Sequence, residues 1–127
     1  MNEEVKKLWV DALRSGEYGQ TKGVLHRTEE VRDDDLPVGY CCLGVLCDVA
    51  IKAGVQVRVD VDIEHGNAHY DGDWMALPES VKNWAGLKVS SPAVPFGHED
   101  CLESLAELND EAGLNFDEIA DLIEASL

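Results

Sequence analysis

The sequence predicts a small single domain of the α+β class, with about five helices and a short antiparallel hairpin or small sheet, spanning residues 1–127. Three observations point there. Apolar residues recur at spacings of three and four in several segments bounded by capping residues. One segment alternates valines with polar residues, the period of a strand. A chain of 127 residues, 45 % of them apolar, can build one core and is short for two.

Asn2 can cap a first helix in which Val5, Leu8, Trp9, Ala12 and Leu13 form one stripe, with acids at its start and Gly16 past its end. Val24 to Thr28 reads as a short strand. Glu29 to Pro37, with Asp33, Asp34 and Asp35 in a row, reads as an exposed loop. The most apolar segment runs from Tyr40 to Ala53 and is closed by Gly54. Its length favours a buried central helix, while its β-branched residues and Gly44 leave a strand open at its start. Gly44 inside a helix costs about 1 kcal/mol relative to Ala, which implies that another backbone or a ligand comes close there.

Val55, Val57, Val59, Val61 and Ile63 alternate with polar residues, which predicts a strand with one buried face. Gly66-Asn67 then turns the chain into Ala68 to Tyr70, making a hairpin that Asp71-Gly72-Asp73 ends. Pro78 opens a short helix carrying Val81, Trp84 and Ala85, stopped by Gly86. Pro92 and Pro95 mark a connector. A helical pair follows: His98 to Asp110, with Leu102, Leu105 and Leu108 on one face, then a helix from Asn115. There Asn115 and Glu118 form a capping box, and Leu114 and Ile119 stand at the staple positions. The expected core comprises Leu8, Trp9, Leu13, Leu43, Val45, Leu46, Val49, Val57, Val59, Val61, Trp84, Leu105, Ile119 and Ile123.

Composition narrows the function classes. Twenty-six acidic residues against ten basic ones give a net charge of −16, which argues against direct nucleic-acid or anionic-membrane binding, since both need Lys and Arg to meet phosphate. Lys88 is the last basic residue, and ten carboxylates fall between Glu99 and Glu124. No stretch approaches the roughly 20 apolar residues that span a bilayer, and the start Met1-Asn2-Glu3-Glu4 does not resemble a signal peptide. The expectation is a cytoplasmic protein with reduced cysteines, Cys41, Cys42, Cys47 and Cys101, that act mainly as small apolar residues.

Motifs for chemistry are sparse. Cys42 and Cys47 lack the spacing of a zinc pair, and His65 and His69 could chelate only across a hairpin, so no metal and no cofactor is expected. The segment Leu108 to Ile119 lacks the ligand pattern of a calcium loop. It resembles a helix-turn-helix, but its second helix would present Asp117, Glu118, Asp121 and Glu124 to DNA. No catalytic residue is assigned. A thiol of Cys41 or Cys42 at a helix N-terminus keeps an enzyme as a third reading. Tyr18, Gln20, Thr21, Lys22 and Gly23, with Tyr40 before the apolar helix, make a candidate small-ligand pocket, for which Gln20, Lys22 and Tyr40 are the binding residues.

Leu8-Trp9, Ala12 to Gly16, Gln20, Gly23-Val24-Leu25, the block Tyr40-Cys41-Cys42-Leu43-Gly44-Val45-Leu46-Cys47-Asp48, Leu77-Pro78, Trp84 to Leu87 and Leu108-Asn109-Asp110 resemble a family of small proteins encoded by tailed bacteriophages and prophages. The likeness covers nearly the whole chain, and the cysteine block is its most specific part. It brings no activity with it. It implies a phage product in the cytoplasm of an infected bacterium, with a host-directed accessory role. The leading expectation is therefore a non-enzymatic protein that binds a host bacterial protein with a basic site through Glu103, Glu107, Asp117 and Asp121. A small-ligand binding or sequestering protein is the alternative.

Overall fold

Four of the five helices among the described residues begin at a side chain that accepts a hydrogen bond from the first turn, and these caps fix where the chain changes direction. The computed structural model describes residues 1–29, 36–97 and 101–127. Helix α1 (Glu3–Arg14) starts at Asn2, whose Oδ1 accepts from Val5 N at 3.0 Å. Helix α2 (Cys42–Lys52) starts at Cys41, α4 (Leu105–Asp110) at Ser104, and α5 (Phe116–Ser126) at Asn115 with its reciprocal capping box to Glu118. Helix α3 (Glu79–Ala85) follows Pro78 and ends at the left-handed Gly86.

Helix α2 is the centre. It packs against α1, α3 and α4, and Leu43, Val45, Leu46, Cys47 and Ala50 have no exposed surface. Gly44 shows why the segment needs a glycine: a Cβ there would meet the Leu25 carbonyl oxygen at 1.8 Å. The close neighbour is therefore another backbone. Helix α1 lies mainly on α5, and Trp9, Leu105, Ile119 and Ile123 complete the same core.

A four-stranded antiparallel sheet has the order β2-β1-β4-β3, with β1 His26–Arg27, β2 Gly39–Tyr40, β3 Val59–Asp62 and β4 Asn67–Tyr70. The expected hairpin is β3–β4, and the strand expected at Val24 to Thr28 is β1. A two-stranded sheet joins β5 (Ala93–Pro95) to β6 (Leu102–Ser104). No helix among the described residues is long and apolar enough to cross a membrane. Part of the expected acidic loop, 30–35, and residues 98–100 of the expected helix lie outside the described residues.

Several expectations need correction. Of the two readings left open at the start of the apolar segment, the strand holds for Tyr40, which belongs to β2, and α2 begins only after Cys41. The long strand from Val55 to Ile63 is ordered as β3 over four residues, and its valines are not buried: Val59 is 44 %, Val61 54 % and Ile63 76 % exposed. The period is real, because Val59 and Val61 stand opposite the buried Tyr70 and Ala68 on one face. However, β3 is the edge strand, and the helices do not reach over it. Leu8 is 48 % exposed, its place in the core being taken by Val10 on the side facing the other helices; Val57 and Trp84 are half-buried. The helix from His98 is replaced by β6 and the short α4, because Ser104 caps at Glu107 N (3.1 Å) and leaves Leu102 and Glu103 extended. Leu102 consequently faces solvent. Pro95 closes a strand rather than marking a connector, and Val94 beside it is fully buried.

Candidate functional site

The loop before β1 carries Gln20 and Lys22, and their side chains do different things. Gln20 Nε2 donates to Asn109 Oδ1 and to the Leu114 carbonyl, both at 2.8 Å. Asn109 is completely buried and serves as a hub: its Oδ1 also accepts from Cys42 N (3.3 Å), and its Nδ2 donates to the Thr21 carbonyl (2.8 Å). One amide thus holds the loop, α4 and the first turn of α2 together. The Gln20 amide is engaged in that framework, while Lys22 is exposed. Nothing in the sequence pattern signalled Asn109, since a buried Asn in an amphipathic stripe looks like an ordinary polar position.

Tyr40, whose carbonyl accepts from Thr21 N of this loop at 2.8 Å, stands in an aromatic and titratable cluster. Its ring stacks on His26 with centroids 3.9 Å apart and meets Tyr18 edge-on at 5.2 Å. Tyr70 Oη lies 3.3 Å from His26 Nδ1. The Tyr18 hydroxyl donates to Asp48 and accepts from Lys52 Nζ at 3.0 Å, and Lys52 pairs with Asp48 at 3.2 Å. Burial pushes the phenols of Tyr18, Tyr40 and Tyr70 up and holds the His26 imidazole below its ordinary value, so His26 favours the neutral form. The cluster is a packed network in which each polar atom named has a partner.

The three buried cysteines, Cys41, Cys42 and Cys47, are poor nucleophiles. Burial raises the Cys41 thiol to about 11 and lifts Cys42 and Cys47 well above the usual thiol range. The Cys41 sulfur accepts from Gly44 N at 3.4 Å, a capping contact.

The acids of the C-terminal third divide into two sets. Asp121 and Glu124 on α5 both take the guanidinium of Arg14 on α1, at 2.6 and 3.0 Å. Glu103 on β6 and Glu107 on α4 stand beside each other instead, and Glu103 holds the Glu107 carboxyl above its ordinary value through a shared hydrogen bond and like charge. These two, with Glu111 and Phe96, line a cavity of about 300 Å³. Asp117 is exposed in the first turn of α5, where the helix dipole favours an acid.

A larger cavity of about 620 Å³ involves Arg27, Asp62, Asn67, His69 and Trp74. Asp62 Oδ2 lies 2.7 Å from His65 Nδ1 and 3.7 Å from His69 Nε2. The hydrogen bond to Asp62 raises the His65 imidazole above its ordinary value, and the same bond lowers Asp62. Sequence reasoning missed Arg27, Asn67 and Trp74. The one available signal was an arginine ending the apolar run Val24-Leu25.

A family model described as a domain of unknown function (DUF8296) matches residues 1–127. No curated protein and no solved structure matches the chain.

Proposed function

Starting from a chain that belongs to the domain of unknown function family DUF8296, we propose that it is a phage-encoded, non-enzymatic accessory protein that binds a basic host protein in the cytoplasm of the infected bacterium. The observation that carries this reading is the Glu103–Glu107 pair. Two adjacent carboxylates, of which Glu103 holds Glu107 above its ordinary value, with no basic side chain paired to them among the described residues, cost stability until a cation arrives. Glu111 and Phe96 complete a pocket suited to a Lys or Arg side chain, whose charge meets the acids and whose stem meets the ring. The net charge of −16 adds long-range steering toward a basic surface. The buried, high-pKa thiols support a binding role over cysteine chemistry.

The partner surface is narrower than the one the sequence suggested. Asp121 already holds Arg14, so Glu103, Glu107 and Asp117 remain as the binding acids. Affinity purification from infected cells at 20 mM and at 0.5 M NaCl tests this, using the wild type and a Glu103→Gln/Glu107→Gln/Asp117→Asn variant. A partner that is retained at low salt, lost at high salt and lost from the variant supports the reading. Equal capture by both proteins sinks it.

A further inference from the structure

On β4, Ala68 and Tyr70 belong to the core, so Asn67 and His69 turn to the opposite face. Residues directly opposite each other across a ladder share a face. The register sets Arg27 opposite Asn67 on β1 and Asp62 opposite Asn67 on β3. A cation, an amide and a carboxylate therefore stand in one row across three strands, roughly 10 Å from end to end, or two strand spacings. All three line the cavity of about 620 Å³, together with Val24 and Trp74. Its volume falls in the range of small-molecule sites.

Two features of this row call for a ligand. Arg27 is only 6 % exposed; its Nε donates to Thr21 Oγ1 (3.3 Å) and its Nη2 to the Lys22 carbonyl (3.1 Å), and no carboxylate among the described residues pairs with it. A buried guanidinium without a counter-anion is costly. Asn67 is also 6 % exposed, and its Oδ1 is buried without a hydrogen-bond partner among the described residues. The terminal torsion of Asn is broad, so this oxygen can turn toward a donor at low cost.

We infer that this row binds a small zwitterion of the free α-amino-acid class: its carboxylate lies on Arg27, its ammonium on Asn67 Oδ1 beside Asp62, and its apolar or aromatic side chain against Trp74 and Val24. An α-amino acid carries both charged groups on one carbon, which suits partners on adjacent strands less than about 6 Å apart. A plain anion is repelled by a protein of net charge −16, and a plain cation leaves Arg27 unanswered. Asp62 is held in place by its 2.7 Å contact with His65. The site is independent of the partner-binding acids.

Isothermal titration of the full chain with free leucine, phenylalanine and tryptophan tests the inference. At least one binds, and its N-acetyl and carboxamide derivatives, each lacking one charge, bind at least about tenfold more weakly. Asp62→Asn, at a partly exposed position, weakens binding of the free amino acid with an unchanged circular dichroism spectrum, and Arg27→Gln abolishes it. Should Arg27→Gln fail to fold, the blocked derivatives on the wild type still decide. The inference is overturned if none of the three gives heat, if the blocked derivatives bind equally, or if inorganic phosphate or adenosine monophosphate binds as well.

Discussion

Helix α2 and strand β3 are both rich in β-branched and aliphatic residues with a regular period, and they meet opposite fates. Leu43, Val45, Leu46 and Cys47 have no exposed surface, whereas Val59 and Val61 of β3 and Ile63 just past its end are 44 %, 54 % and 76 % exposed. The difference lies in what surrounds each element. Helix α2 is enclosed by α1, α3, α4 and β2, while β3 is paired among the described residues on one edge only, to β4. Periodicity reports which residues share a face; the presence of a cover over that face is a property of the whole topology.

The sharpest way to break this contrast is at Gly44. An added Cβ would sit 1.8 Å from the Leu25 carbonyl oxygen, and neither backbone can yield without separating α2 from the segment that leads into β1. Gly44→Ala is expected to cost about 3 kcal/mol or more, at the top of the overpacking range, and to reduce soluble yield. Urea denaturation checks it. Stability within about 1 kcal/mol of wild type would show that α2 is not clamped there.

Leu46→Ala removes a side chain with no exposed surface and is expected to cost about 2 to 5 kcal/mol, a large share of the 5 to 15 kcal/mol of a domain. Asn109→Ala comes next, at about 2 to 4 kcal/mol, because it leaves Cys42 N and the Thr21 carbonyl buried without their partner. A loss below about 1 kcal/mol at Asn109 would mean that water replaces the hub.

How much of this was legible in the sequence follows from the range of each interaction. The Asn2 cap, the Asn115–Glu118 box and the glycine stops are local, and Gly44 gives a local sign, a glycine inside an apolar helix, of its long-range contact with Leu25, so all could be read. The β5–β6 pair was hidden because its strands are three residues each and the cap that ends β6 is a single serine. The Arg27–Asn67–Asp62 row and the Gln20–Asn109 bond were invisible for another reason. They depend on register and packing between segments far apart in the chain. The proposed phage origin likewise rests on residues that build the core, such as the cysteine block, which speak to packing more than to a site.

The two regions also differ in the sign of their response to pH. His26, stacked on Tyr40 beside α2, has its folded pKa depressed by burial, so its contribution to stability is full above about 6.5 and is lost as pH falls. His65, on the hairpin, has its pKa raised by Asp62, so its contribution is full below about 6.5 and is lost as pH rises through the folded value. One NMR titration separates them, with His26 below and His65 above the ordinary value. Asp62→Asn should bring His65 down and leave His26 in place. A joint shift would show that the hairpin is coupled to the core.

The smallest expected effect is the most informative about β3. Thr keeps the β-branched shape and strand preference of Val and Ile while removing a methyl or more of apolar surface. At Val61 and Ile63, 54 % and 76 % exposed, little of that surface is buried, so Val61→Thr/Ile63→Thr should change stability by no more than about 0.5 kcal/mol. The same chemical change at Val45, fully enclosed in α2, buries a hydroxyl and costs several times more. Denaturation of both variants at two protein concentrations makes the comparison quantitative. A double variant that loses more than about 1 kcal/mol, with the loss growing at higher concentration, would mean that the valine face is covered by a second copy of the chain. The same loss at both concentrations would mean that residues of the chain itself cover it. Either result would remove the exposed edge, and with it the contrast between β3 and α2.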